Sequence, residues 1–154
     1  MKYETGSAQE TYALGEKLGE SALPGQVYAL NGGLGVGKTV FSQGLAAGLG
    51  VGGPVCSPTF TILQVYEDGR LPFYHFDVYR ISDVEEMEEI GYQDCFYGKG
   101  VCLVEWADLI KEILPEGTIY VSIEKDFAKE DYDYRVITVD FPQGSDGAER
   151  MAEV

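Results

Sequence analysis

Basic residues are scarce in this chain: 11 Lys and Arg stand against 26 Asp and Glu, a formal net charge of −15 over 154 residues. A surface so acidic repels phosphate backbones and lacks the basic stripe by which nucleic-acid binders release counterions. Any RNA in this protein's function is therefore expected to be held by a partner. Arginine is rarer still, limited to Arg70, Arg80, Arg135 and Arg150, which leaves little for an arginine-lined lid that clamps phosphates. The three cysteines, Cys56, Cys95 and Cys102, have no C-x-x-C spacing, and the one histidine, His75, cannot complete a zinc set with them. They read as buried free thiols. No apolar run approaches a membrane span, and "MKYETGSAQE" has neither a basic nor an apolar leader region, so a cytoplasmic protein with no membrane contact is expected. The length suits one domain, over residues 1–141. The tail "PQGSDGAERMAEV", 142–154, has little to bury and is expected to be mobile.

Glycine, by contrast, is abundant, and it concentrates in "GGLGVGKT", residues 32–39. The segment fits G-x-x-x-x-G-K-S/T: Gly32, Gly33, Leu34, Gly35, Val36 and Gly37 form a loop, followed by Lys38 and Thr39. Glycines let the backbone curl so that N–H groups point at phosphate oxygens, and a helix starting at Lys38 adds its dipole and free amides. Lys38 would reach the β/γ-phosphates and the Thr39 hydroxyl would ligate Mg2+. A flexible glycine turn is the plain alternative. The context argues against it, because an apolar strand-like run (27–30) precedes the loop and Phe41, Leu45 and Leu49 follow at i, i+4, i+8.

The remaining pattern is α/β. "SAQETYALGEKLGESALPG" opens with a capping box, Ser7 and Glu10, carries Leu14 and Leu18 on one face and stops at Pro24-Gly25. "CSPTFTILQVYEDGRLPFYHFDVYRI" reads as two β-rich runs joined at Asp68-Gly69. "SDVEEMEEIGY" reads as a short helix. "GVCLVEW" has the continuous apolar character of a strand buried on both faces, and "ADLIKEILPEG" after it reads as helical up to Pro115. "TIYVSIEK" and "YRVITVDF" complete the sheet as an expected antiparallel edge pair.

A phosphate loop alone only binds; hydrolysis or phosphoryl transfer also needs a carboxylate near Mg2+ and a group that orients the attacking oxygen. Ligands in open α/β sheets gather at the carboxyl ends of strands, where Glu105 closes "VCLVE" and Asp77 closes "FYHFD". Glu105 is the candidate metal carboxylate and Asp77 the candidate for activating water. Alternation puts Phe73, His75 and Asp77 on one face, with His75 read as a packed, hydrogen-bonded histidine. Trp106 either lies against nucleotide or partner or simply packs. Arg80 either meets transition-state charge or pairs with the acidic segment after it. No Asn-Lys-x-Asp segment is present to select guanine, so adenine is the expected base. Two sides of a base slot are conceivable, one around residues 9–11 and one after Trp106.

Taken in order, "ETYALGEKLG", "GGLGVGKT", "SPTF", "HFDVYR" and "VEW" resemble the TsaE family, the small ATPases of the bacterial machinery that makes threonylcarbamoyladenosine in tRNA. The resemblance covers roughly residues 5 to 125. It implies a three-layer P-loop NTPase-like fold, with a mixed, mostly parallel sheet, flanking helices and antiparallel additions. It implies ATP and Mg2+ as cofactors, with Lys38 on phosphate, Thr39 and Glu105 at the metal, and Asp77 as the essential acid. It also adds Thr59 of the switch-like Ser57-Pro58-Thr59, whose hydroxyl would approach the γ-phosphate. The implied partners are a threonylcarbamoyl transferase and its scaffold homologue, of TsaD and TsaB type, with tRNA reached only through them. Gly33 and Val36 depart from the family's usual loop letters, at positions where backbone amides do the binding. The rival readings are a small-molecule kinase and a module that holds ATP as a structural ligand.

Overall fold

The computed structural model describes residues 1–33, 35–126 and 128–142; most of the expected tail, and Leu34 of the loop, lie outside the described residues. Its centre is a seven-stranded sheet in the order β1-β7-β6-β2-β5-β4-β3. The strands are β1 (Lys2–Thr5), β2 (Val27–Asn31), β3 (Leu63–Tyr66), β4 (Phe73–Asp77), β5 (Val101–Glu105), β6 (Ile119–Lys125) and β7 (Arg135–Asp140). Strands β6, β2, β5 and β4 run parallel. Strands β3 and β7 are antiparallel additions, and β1 pairs antiparallel with β7.

Side-chain parity divides the core into two layers. Tyr28, Leu30, Val101 and Leu103 face one apolar cluster with Leu14, Leu18, Phe41 and Leu45 of the helices α1 (Ala8–Ser21) and α2 (Lys38–Gly48). Val27, Ala29, Cys102 and Val104 face the other, with Met87 of α3 (Glu85–Glu89) and Phe96 of α4 (Tyr92–Phe96). This is the continuous apolar strand pattern explained: β5 is buried at all five positions because both its faces are covered.

Helix α1 begins as its sequence dictates. The Ser7 hydroxyl accepts from Glu10 N–H at 3.1 Å, and Glu10 Oε2 accepts from Gly6 N–H at 2.9 Å. Its far end is closed by a distant residue, Arg70 on the turn between β3 and β4. One guanidinium nitrogen of Arg70 donates to the carbonyls of Gly19, Glu20 and Ala22 at 2.7, 3.0 and 2.8 Å, at the end where the helix runs out of intrahelical donors; the Gly19 carbonyl also accepts from Ala22 N–H at 3.3 Å. Helices α1 and α2 meet backbone to backbone. A Cβ on Gly44 would sit 2.2 Å from the Tyr12 carbonyl, and one on Gly15 would sit 2.5 Å from the Phe41 carbonyl.

Four expectations need correction. Strands β6 and β7 pair as read, but they are not an edge, because β6 lies against β2 and β7 is covered by β1. The strand β1, "KYET", escaped notice because its pairing, not an apolar alternation, makes it a strand. The segment after Trp106 is a 3-10 helix, Ala107–Ile113, with a break at Ile110; Leu114 is extended, as the residue before proline tends to be. Cys95 and Cys102 are buried, but Cys56 is exposed. Its neighbour Val55 is buried and its carbonyl accepts from Gln43 Nε2 at 3.1 Å, so the alternating loop turns Cys56 outward.

Candidate functional site

The glycine loop joins the end of β2 to the start of α2. Gly35 and Gly37 adopt φ of +75° and +108°, which side-chain-bearing residues rarely reach, and Gly37 is the residue that precedes the first turn of α2. Gly32 is constrained differently, since a Cβ there would sit 2.8 Å from both the Ile123 carbonyl and Val36 Cγ2. The loop is tied to β7 by Arg135, whose Nε donates to the Val36 carbonyl at 2.9 Å. Gly33 is exposed and free of close neighbours.

A cavity of about 540 Å3 opens beside the loop, lined by Gly35, Gly37, Lys38, Thr39, Val40, Ser57, Thr59, Asp77, Tyr79, Arg80, Glu105 and Trp106. The structure thus brings Lys38, Thr39, Thr59, Asp77, Glu105 and Trp106 to one cavity. Gly32 and Gly33 are part of the loop without lining this cavity. Val36 lines a smaller one of about 180 Å3 on the other side, together with Ser7, Thr11 and Arg135.

The acids converge because of register. On the parallel strands β4 and β5, Asp77 pairs with Glu105 and His75 with Leu103. Phe73, Val101 and Leu103 all face the α2 layer, so parity carries His75, Asp77 and Glu105 to the loop side of the sheet. Asp77 and Glu105 are nearly buried, at 4% and 3% exposure.

Each carboxylate is held by neighbours. The Ser57 hydroxyl donates to Asp77 Oδ2 at 2.8 Å and lies 3.4 Å from Glu105 Oε2. Thr59 Oγ1 donates to Asp77 Oδ2 at 3.3 Å, and Asp77 Oδ1 accepts from Tyr79 N–H at 3.1 Å. His75 Nε2 lies 2.7 Å from Glu105 Oε2. A carboxylate only accepts, so Nε2 carries the proton and donates. Nδ1, also buried, has no partner among the described residues.

Lys38 is 8% exposed. Its Nζ donates to the Gly32 carbonyl at 2.9 Å and stands 3.4 Å from the centre of the Trp106 ring. Burial pulls the ammonium below the ordinary lysine range, and the charges of Glu105 and then Asp77 oppose that shift. The Trp106 ring packs on Tyr79 with centroids 4.7 Å apart, and its backbone is left-handed at φ +62°. Arg80 forms no ion pair with the acidic segment among the described residues; its guanidinium lies 4.5 Å over the exposed Phe60 ring, at the cavity.

The donor set is of hard oxygens, a hydroxyl and two carboxylates, which suits Mg2+. Among the described residues no group of three His, Cys, Asp or Glu is arranged to hold a metal by itself. Sequence reading missed Ser57 as the link between the acids and His75 as a partner of Glu105; the parity that placed Asp77 was the available signal for His75.

Parallel strands that deliver acids to a glycine loop at the head of a helix define a P-loop-like α/β protein. The profile described as "Threonylcarbamoyl adenosine biosynthesis protein TsaE" matches residues 5–134, and the chain belongs to that family. It is 48% identical over 125 residues to the tRNA threonylcarbamoyladenosine biosynthesis protein TsaE of Bacillus subtilis, covering 81% of this chain and 78% of the relative. Its identity to the protein of the same name from Treponema pallidum is 46% over 123 residues, 80% of this chain and 90% of that one. In structure it is similar to Bacillus subtilis YdiB, with a TM-score of 0.84 at 38% identity, over 99% of this chain and 94% of the other.

Proposed function

We propose that this protein is a Mg2+-dependent ATP-binding and hydrolysing subunit that supports threonylcarbamoyladenosine modification of tRNA. It acts through a transferase and its scaffold homologue, of the TsaD and TsaB type. The observation that carries the reading is the pairing of Asp77 with Glu105 at the mouth of the loop that presents Lys38 and Thr39. Family membership supports the pathway.

Each residue has a chemical task. The loop amides and Lys38 hold the β/γ-phosphates, and Thr39 and Glu105 hold Mg2+. Mg2+, when bound, neutralises charge on the phosphate oxygens. Lys38 and Arg80 are matched in charge by Asp77 and Glu105, so the added cation would strengthen the hold on a triphosphate here. Asp77 orients a water on the γ-phosphate and accepts its proton as the water oxygen–phosphorus bond forms and the bond to ADP breaks. Thr59 and Ser57 hold Asp77 in place for this. The smaller cavity beside Thr11 and Val36 is the place that would take the base.

The arginines argue for hydrolysis over small-molecule phosphorylation. Arg70 is spent on the end of α1 and Arg135 on the carbonyls of Val36, Tyr132 and Tyr134, so Arg80 is the one arginine among the described residues that lines the cavity. No lid can be assembled from it alone. The acidic surface in turn leaves tRNA contacts to the partners.

The test is phosphate release from ATP with Mg2+, alone and with the transferase and scaffold pair. Stimulation that disappears in Asp77→Ala and Glu105→Ala is expected. Absence of stimulation, with phosphate passing to a small acceptor, would replace this reading with a kinase. A protein that supports modification equally well as Asp77→Ala, but not as Lys38→Ala, would be an ATP-holding module instead.

A further inference from the structure

His75 is more deeply buried than the acid it touches, at 1% exposure against 3% for Glu105. Its ring stacks on Phe73, with centroids 5.7 Å apart and planes 22° from parallel. Packing alone would be met there by an apolar ring of the same size. A core histidine kept for packing also tends to have both nitrogens paired, since an unpaired buried polar atom is costly. Here Nδ1 has no partner among the described residues, and the one polar contact of the side chain among them is the 2.7 Å bond from Nε2 to Glu105 Oε2. The imidazole is therefore retained at a cost, and what it obtains is a hold on that one carboxylate.

The consequence for Glu105 is directional. Oε2 receives His75 and faces the Ser57 hydroxyl at 3.4 Å, whereas Oε1 has no protein partner among the described residues and Glu105 lines the cavity. A carboxylate free to rotate about its last bond would present either oxygen. This one is fixed, with one oxygen held inside the sheet and the other left for the cavity. Because β4 and β5 are in parallel register, the histidine sits one inward-facing position behind Asp77 and reaches forward along the strand to Glu105.

We infer that His75 is a positioning residue: its Nε2–H locks Glu105 so that the remaining carboxylate oxygen meets the hydrated divalent cation of the bound nucleotide. This rests on the proposed placement of the metal at Thr39 and Glu105. Partners that orient metal-binding carboxylates typically change metal affinity by about 10–100-fold when removed, while leaving contacts elsewhere intact.

The experiment measures Mn2+ binding to the full chain with ADP by electron paramagnetic resonance. ADP binding in EDTA is followed in parallel by Trp106 fluorescence. His75→Phe keeps an aromatic ring against Phe73 and removes the donor; His75→Gln returns an N–H near the place of Nε2. His75→Phe is expected to weaken Mn2+ binding about 10–100-fold, and His75→Gln to recover most of it, with metal-free ADP affinity unchanged within about twofold in both. If thermal melting shows His75→Phe to be unfolded, His75→Met serves as the donor-free variant with the same expectation. Mn2+ affinity retained in the donor-free variant, or lost in parallel with metal-free ADP binding, overturns the inference. Glu105→Gln separates the two levels. If it weakens Mn2+ binding but the donor-free variant does not, only the role of His75 falls; if it changes nothing, the metal placement falls with it.

Discussion

Asp77 and Glu105 stand opposite each other on adjacent parallel strands, and the hydroxyl of Ser57 lies between them, 2.8 Å from one and 3.4 Å from the other. Two nearly buried acids side by side repel unless something divides their tasks. Here the surroundings do: Asp77 is held by hydroxyls and a backbone amide, Glu105 by an imidazole.

That division predicts different losses from the two acids. Asp77→Asn should lower ATP turnover by about 10²–10⁴-fold, the range for removal of a general base, with nucleotide affinity little changed. Glu105→Gln should raise the Mg2+ concentration needed for half-maximal nucleotide binding. Phosphate-release assays and calorimetric titrations at several Mg2+ concentrations distinguish them. Equal effects of both variants on binding would count against separate roles.

Lys38 predicts a pH dependence. Its pKa in the folded protein lies below the ordinary lysine value of 10.5, chiefly through burial. Between the folded and unfolded values the unfolded chain binds more protons, so this group makes the nucleotide-free protein more stable as pH rises through that window. Nucleotide affinity moves the opposite way, because phosphate needs the ammonium. ADP binding should weaken with rising pH before 10.5 is reached and should take up a proton in that range. Calorimetry in buffers of different ionisation enthalpy measures the uptake, and Lys38→Met should abolish it.

The glycines where α1 crosses α2 predict a stability effect remote from the cavity. Gly44→Ala puts a methyl group 2.2 Å from the Tyr12 carbonyl. Overpacking of this kind costs about 1–3 kcal/mol, more than the roughly 0.5–1 kcal/mol that alanine regains in a helix. Thermal melting should show a lowered midpoint for Gly44→Ala. Gly33→Ala, whose methyl group would meet only Val36 Cγ1, at an ordinary van der Waals distance of 4.0 Å, should melt like the parent.

The cysteines predict selective labelling. Cys56 is exposed, whereas Cys95 and Cys102 are buried and burial raises both thiols above their ordinary range. Iodoacetamide at neutral pH should modify Cys56 in the native protein, and all three cysteines only after unfolding, as mass spectrometry would resolve. Fast native labelling of Cys102 would contradict the packing of β5 against α4.

The amino-acid sequence by itself determined the elements whose causes are local. The glycine loop, the Ser7 cap, the helical spacing of Phe41, Leu45 and Leu49, the Asp68-Gly69 turn and the unbroken apolar run of β5 each lie within a few positions of chain. These signals survive in a linear reading. The ordered motifs carried the family as well, and with it the expectation for Thr59, which no spacing gives. The tertiary structure decided what depends on strand order and register. It put β1 outside β7, moved the expected edge pair inward, and set Asp77 beside Glu105 across 28 residues of chain. It sent Arg70 to cap a helix 48 to 51 positions away and joined His75 to Glu105, 30 positions apart. Parity along a strand says which side chains share a face. Only the pairing of one strand with another says which of them touch, because pairing is chosen by the burial of the whole sheet and not by any one segment.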